Sequence, residues 1–289
     1  MINHKKYFVK HNEKLNLSKI STSDTNGLKS KKDAESKLTK NIKELAELQA
    51  KLYAQDKYAV LIVFQAMDAA GKDGMIKHVM TGLNPQGTQV FSFKQPSKTE
   101  LDHGYLWRIN NSLPEKGRIG IFNRSHYEDV LVVRVHDFIK DQKIPDKFKN
   151  GKIWKQRYKQ INDFERYLYE NGTIILKFFL HISKEEQKKR FLKRINNPTK
   201  NWKFSEADLK ERTFWNDYQN AYEEALSSTS KSNAPWYVIP SDKKWYARLV
   251  VSEIIIGKMK SLKPDFPKLD REKLKALERA KELLLNESK

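Results

Sequence analysis

The chain has 289 residues and no cysteine, with 56 Lys and Arg against 36 Asp and Glu, a formal net charge of +20. The missing thiols exclude disulfides, thiolate zinc sites and cysteine nucleophiles, and a hydrophobic content of 38% excludes disorder as the state of the whole chain. So large a cationic excess points to a polyanionic partner: nucleic acid, anionic lipid, or a phosphate-rich small molecule or polymer.

No apolar run approaches the ~18–20 residues of a membrane span. The best stretch, 59–64, ends at Gln65. The opening Met1-Ile-Asn-His-Lys-Lys-Tyr7 lacks the apolar segment of a secretory signal. The expectation is a soluble, cytoplasmic protein.

Residues 1–29 are polar and include Ser21-Thr-Ser-Asp-Thr-Asn-Gly27. They read as an N-terminal arm without a core of its own. A helix follows, with Leu38, Ile42, Leu45 and Leu52 on one face. Tyr58-Ala-Val-Leu-Ile-Val-Phe64 is short, β-branched and apolar throughout, which suits a strand buried on both faces of a parallel sheet. Strand and helix then alternate. Strands are predicted over 89–93, 119–122, 173–182 and 236–239. Helices are predicted over 72–83, 124–135, 153–171, 184–195, 214–226 and 243–259. Ser183-Lys-Glu-Glu186 reads as a capping box, and Asn171-Gly172 as a helix stop. Such alternation predicts an α/β fold, a parallel sheet between helical layers. A final segment, 263–289, carries Leu274, Leu277 and Leu284 and reads as a docking helix. One domain, 30–262, with helical decorations is expected.

The sharpest chemical feature follows the first strand: Phe64-Gln-Ala-Met-Asp68-Ala-Ala-Gly71-Lys72-Asp73-Gly74. A buried strand, a small-residue loop, Gly-Lys and a helix are the parts of a phosphate-binding P-loop. The backbone amides of Ala69, Ala70, Gly71, Asp73 and Gly74 turn toward phosphate oxygens, and Lys72 adds a point charge. The strict pattern wants Gly at 66 and Ser or Thr at 73, where this chain has Ala66 and Asp73. An ordinary strand–turn–helix reads the same way. Asp68 would repel phosphate unless a Mg²⁺ lies between them; a turn aspartate bonded to its own backbone is the bland alternative.

After the third strand comes Phe122-Asn123-Arg124-Ser125-His126-Tyr127-Glu128. Ligands of parallel α/β sheets sit at the carboxyl ends of strands, so Asn123, Arg124 and Ser125 emerge where a ligand would lie. Arg124 can fork onto phosphate oxygens, while His126 reads as structural. Residues 184–212 are rich in Lys and Arg and are broken at Pro198. This reads as a mobile basic lid or simply as a solvated charged surface. Lys77, Lys94, Arg108 and Arg134 are further basic candidates. The tryptophans at 107, 154, 202, 215 and 236 read by default as core or wedge residues. The histidines show no zinc spacing.

Together these stretches resemble the polyphosphate kinase 2 family. The matching segments include 60–74, Thr81-Gly-Leu-Asn-Pro-Gln-Gly87, Tyr105-Leu-Trp-Arg108, 121–128, Val133-Arg-Val-His136 and Asn201-Trp-Lys-Phe-Ser205. The resemblance implies a three-layer α/β/α P-loop kinase-like fold with a basic helical lid at about 194–214. It implies reversible, Mg²⁺-dependent phosphoryl transfer between inorganic polyphosphate and nucleotides, and a homodimer or homotetramer. By matching position, Lys72 is the Walker-type lysine, Asp68 the metal carboxylate and Arg124 the second-motif arginine. Arg190 and Arg194 match phosphate contacts near the lid, and Lys77 and Arg134 a polyphosphate channel. Many members have Asp-Arg-Ser where this chain has Asn123-Arg124-Ser125, followed by Glu128. That resembles the subgroup accepting both nucleoside mono- and diphosphates, with Asn123, Ser125 and Glu128 near the acceptor. Two rival readings are an ATP-dependent nucleoside or nucleotide kinase on the same scaffold and a basic nucleic-acid-binding protein. No recognised nucleic-acid motif supports the latter.

Overall fold

The computed structural model describes residues 4–11 and 13–287. Residues 1–3, 12 and 288–289, which fall in the expected arm and C-terminal segment, lie outside the described residues.

Five parallel strands form one sheet in the order β2-β3-β1-β4-β5. They are β1 (Ala59–Gln65), β2 (Thr88–Ser92), β3 (Ile119–Asn123), β4 (Thr173–His181) and β5 (Trp236–Pro240). Every residue of β1 and β4 is buried, as their unbroken apolar runs require of central strands. Helices α1 (Lys31–Gln55), α2 (Lys72–Val79) and α10 (Lys244–Ser261) cover one face. One-turn helices α3 (Lys98–Leu101), α4 (Trp107–Asn110) and α5 (Val132–Val135) precede α6 (Ile153–Glu170). Helices α5, α6 and α9 (Trp215–Thr229) pack together on the other side. Between α6 and α9 lie α7 (Lys184–Ile195) and α8 (Glu206–Thr213); α11 (Arg271–Leu285) ends the described chain.

The register of β1 sets Phe64 beside Asn123 on one side and Phe178 on the other. The carboxyl ends of three strands therefore meet at the start of the phosphate loop.

The N-terminal arm packs on the domain: Tyr7, Val9 and Leu17 are buried in the main core. The Val9 amide donates to the Trp236 carbonyl at 2.9 Å, so the arm lies along the β5 edge. Several expectations need correction. The predicted helix over 124–135 is broken. Arg124 has φ 64°, a 3-10 turn covers His126–Val130, and α5 is a single turn. Ser125 caps that 3-10 turn by accepting from the Tyr127 amide, a local bond that competes with a continuous helix. The helix predicted over 72–83 stops at Val79, ahead of Gly82 at φ 87°. Only half of the predicted capping box forms. Ser183 accepts from the Glu186 amide, but the Ser183 amide donates to Asp242, and Glu186 pairs with Arg190 instead. The full box is at Ser97 and Glu100. Trp107 and Trp202 are not core residues; Trp202 is 77% exposed. Finally, α11 buries none of its residues, Leu274, Leu277 and Leu284 included, among the described residues.

Candidate active site

The loop after β1 turns through Ala69 at φ 60° and Gly71 at φ 104° before entering α2. The left-handed residue at Ala69 costs about 1–3 kcal/mol and survives only where neighbours over-determine it. Those neighbours come from α7. Gln187, buried, donates to the Asp68 carbonyl at 3.0 Å, and Arg190 donates to the Ala69 and Ala70 carbonyls at 3.1 and 2.5 Å.

The Lys72 ammonium donates to the Ala66 carbonyl at 3.0 Å and so folds back over its own loop. Burial and the nearby Arg124 lower its pKa, against the opposing pull of Asp68, Glu128 and Asp73. Arg124 donates to Asp68 at 3.1 Å, and its backbone amide donates to the Phe64 carbonyl at 3.0 Å, tying the second motif to β1. Burial pulls the guanidinium down, but the carboxylates of Glu128 and Asp68 outweigh it and leave the cation firmer than usual. Burial raises the Glu128 carboxyl against the pull of Arg124 and Lys72. Asp68, Lys72, Arg124 and Glu128 thus form one coupled cluster.

Asn123 donates its amide to the Asp73 carboxylate at 2.8 Å. Ser125 is fully buried; its hydroxyl accepts from the Gln65 amide and the Tyr127 backbone and does not line the cleft. Beneath this turn, Lys177 donates to the Tyr127 hydroxyl at 2.8 Å, to Glu165 at 2.5 Å and to the Thr229 carbonyl at 2.9 Å. The His126 ring lies 3.4 Å from Glu165. All four side chains are buried, so this is a structural network under the motif.

The loop floors a cleft of about 1090 Å³. Its cationic lining is Lys72, Lys77, Lys94, Arg124, Arg190, Lys193, Arg194, Lys200, Lys203, Lys244 and Arg248, against only Asp68 and Asp73. Lys200, Trp202 and Lys203 belong to the segment joining α7 and α8 and hang over its mouth. Arg194 lines the cleft and pairs with Asp208 of α8 at 3.3 Å. Arg134 stands outside, held by the Tyr158 hydroxyl at 2.9 Å and Glu224 at 2.6 Å. Sequence reasoning missed Lys244 and Arg248. They lie one helical turn apart on α10 and face Gly71 and Gly74, but no local motif marks them.

A second cleft, of about 810 Å³, opens beside α4 and differs in character. Tyr105, Trp107 and Phe148 contribute its rings, and His103 stacks on Trp107 with centroids 4.2 Å apart. Buried Arg108, Asp129 and Arg157 form its polar wall. Arg108 donates to the carbonyl of Lys94, whose side chain lines the first cleft, and Asp129 follows Glu128. The Arg108–Lys94 bond links the linings of the two clefts.

Among the described residues no cluster of three or more His, Cys, Asp or Glu forms a metal cage. Mg²⁺ does not need one: a carboxylate or two, phosphate oxygens and water suffice. Asp68 engages one carboxylate oxygen with Arg124 and reaches the cleft, so its chemistry fits such an ion.

A parallel sheet whose first strand feeds a Gly-Lys loop, with an arginine arriving from the neighbouring strand, defines a P-loop kinase-like phosphotransferase. Comparison with known proteins gives the family. Residues 28–267 match the family model described as polyphosphate kinase 2 (PPK2). An ADP-polyphosphate phosphotransferase from Rhodopseudomonas palustris is 51% identical over 97% of this chain and 98% of its own. An AMP/ADP-polyphosphate phosphotransferase from Meiothermus ruber is 46% identical over 91% of this chain and 95% of its own. The crystal structure of polyphosphate kinase 2 from Arthrobacter aurescens TC1 superposes with a TM-score of 0.84 at 40% identity, covering 93% of this chain and 97% of that one. The chain belongs to the polyphosphate kinase 2 family.

Proposed function

We propose that the protein transfers phosphoryl groups reversibly between inorganic polyphosphate and nucleotides, accepting both AMP and ADP. The observation that carries the reading is the cleft itself, in which Asp68, Lys72 and Arg124 meet at the floor of a channel walled by cations. A phosphate chain has no ring to stack and no apolar surface to bury, and such a wall suits it. The relatives named as acting on ADP and on AMP/ADP support the acceptor class.

In this reading the amides of the loop and Lys72 hold the phosphates in line, and Arg124 exchanges its ion pair with Asp68 for a phosphate oxygen. Arginines so placed in other phosphoryl-transfer sites are worth ~10³–10⁵ in rate. Asp68 holds Mg²⁺, which when bound shields the charge of the approaching phosphate oxygens. Asn123 and Asp73 face the acceptor's phosphates from the cleft; Glu128, outside that lining, acts on the acceptor site through Arg124 and Lys72, and Ser125 supports them from below. The ring-lined second cleft, one residue beyond Glu128, receives the nucleoside. The segment 194–214 closes over the phosphates and excludes water. The reading carries with it a cytoplasmic location, where nucleoside mono- and diphosphates are held. It also carries a homo-oligomer, for which the uncovered leucines of α11 provide surface.

Incubation of the purified protein with Mg²⁺, long-chain polyphosphate and either AMP or ADP tests this. AMP should yield ADP and then ATP. Reaction of ADP alone removes AMP from the acceptors and leaves the donor in place. Absence of any polyphosphate-dependent product, with transfer from ATP instead, gives the site to an ATP-dependent kinase.

A further inference from the structure

The amide side of a P-loop binds phosphate only if its carbonyls point the other way, and buried carbonyls need donors. Here those donors are two side chains three residues apart on one face of α7. Gln187 takes the carbonyl of Asp68, and Arg190 takes those of Ala69 and Ala70. The remaining donors of Arg190 are engaged as well. Its Nε pairs with Glu186 at 2.8 Å, and Nη2 donates to the Ser241 and Asp242 carbonyls at 2.5 and 3.2 Å. That β5–α10 turn is itself anchored. The Asp242 carboxylate accepts from the Ser183 amide at 2.9 Å and the Thr22 hydroxyl at 2.6 Å. Gln187 has a second partner: Arg212 of α8 donates to its amide oxygen at 2.7 Å.

We infer that Gln187 and Arg190 are positioning residues, a strut that fixes the carbonyl side of the phosphate loop, and that Arg190 does not serve as a phosphate ligand. The inference rests on the proposed function of the cleft and replaces the phosphate contact that resemblance implies for Arg190. Its physical content is specific. A lysine at 190 keeps the charge but lacks the planar fork that reaches two loop carbonyls and the β5–α10 turn together. A methionine at 187 keeps the volume and removes the donor to Asp68. The strut also hooks the end of the lid to the loop, because Arg212 and Asp68 share Gln187.

The test compares Arg190→Lys and Gln187→Met with the unaltered protein under saturating AMP or ADP, varying polyphosphate and salt. Turnover by the unaltered protein checks the function separately. The strut predicts that kcat falls about ten- to hundredfold in both variants, the scale of a misplaced reacting group. The KM for polyphosphate should stay within about twofold, and its salt dependence should keep the same slope, because no phosphate contact is lost. Thermal midpoints taken in parallel separate lost folding from lost alignment. If Arg190→Lys fails to fold, Gln187→Met carries the test alone, since it alters no charge. Two results overturn the strut: normal kcat in Gln187→Met, or, in Arg190→Lys, a raised KM for polyphosphate at retained kcat.

Discussion

Asp73 accepts a hydrogen bond from the Asn123 side chain at 2.8 Å, joining the first turn of α2 to the last residue of β3. Each partner explains the other. A hydroxyl at 73 would pair with an aspartate at 123, whereas here the carboxylate sits on the loop side and the donor on the strand. Asn123→Asp should therefore place two carboxylates at hydrogen-bond distance and force one to take a proton. We expect kcat near pH 7 to fall about tenfold or more, equivalent to at least ~1.4 kcal/mol. Adding Asp73→Asn restores a donor–acceptor pair of reversed polarity. The double variant should recover stability beyond the sum of the singles, by a coupling of about 0.5–3 kcal/mol. Additive losses in urea melts would refute the pairing.

Asp68→Ala should abolish turnover while leaving the fold intact, because the side chain is partly exposed and its structural bond is one ion pair with Arg124. Exposed or half-exposed pairs contribute only ~0–1 kcal/mol. The expected result is an unchanged circular dichroism spectrum with activity below detection. A variant with near-normal rate removes Asp68 from the mechanism.

Affinity for polyphosphate should weaken as the pH rises past about 8. Partial burial of its ammonium in the cleft, together with Arg190 and Arg248, pushes Lys244 down to about 8. Below that value Lys244 is a cation and attracts the polymer; above it the charge is lost. A bound polyanion raises the pKa again, so binding near pH 8 should take up protons. Calorimetry in buffers of different ionisation enthalpy measures this uptake, and Lys244→Met should abolish it. Uptake that persists in the variant assigns the titration elsewhere.

The Lys177–Glu165 pair should matter for stability and not for substrate affinity. Burial lowers Lys177 to about 8 against the pull of Glu165, which leaves it a cation at neutral pH. Burial raises the Glu165 carboxyl, but Lys177 and His126 outweigh it and hold it below its ordinary 4.5. The stabilisation from Glu165 is therefore present above pH 4.5 and is lost as the pH falls through the lower native value. Lys177→Met strips the buried Glu165 carboxylate of its lysine, leaving only Tyr127 and His126 beside it, and should cost about 3–5 kcal/mol. Combining it with Glu165→Leu should return most of that loss. Chemical denaturation of the three variants reads both numbers.

What the sequence revealed depended on how local each signal was. The apolar run of β1, the Gly71-Lys72 pair and the alternation of strand and helix are written in consecutive residues, and all were legible. Arg124 was legible as a residue but not as a conformation, because nothing in Asn-Arg-Ser announces a left-handed turn. The arm at Tyr7, Val9 and Leu17 looked polar because its buried residues are isolated and are covered by distant elements: β5 and α10 for Tyr7 and Val9, β4 and α9 for Leu17. Lys244 and Arg248 lie on a helix whose other residues are mostly apolar, and only the fold turns them toward Gly71 and Gly74. Arg134 sits in a motif of the family yet is committed to Glu224. Motif membership and cleft membership are different properties.

The crowding of cations around the phosphate loop has a consequence beyond catalysis. In an extended chain the same charges lie far apart and are screened by salt; folding presses them together around one cavity. Without its polymer the native state carries that repulsion unrelieved. A ligand that binds only the folded form adds stability by mass action, about 2.7 kcal/mol at a hundred times its dissociation constant. Polyphosphate is then a stabiliser of its own enzyme. Depleted of the polymer, the protein should melt at a lower temperature and be cut sooner by an added protease.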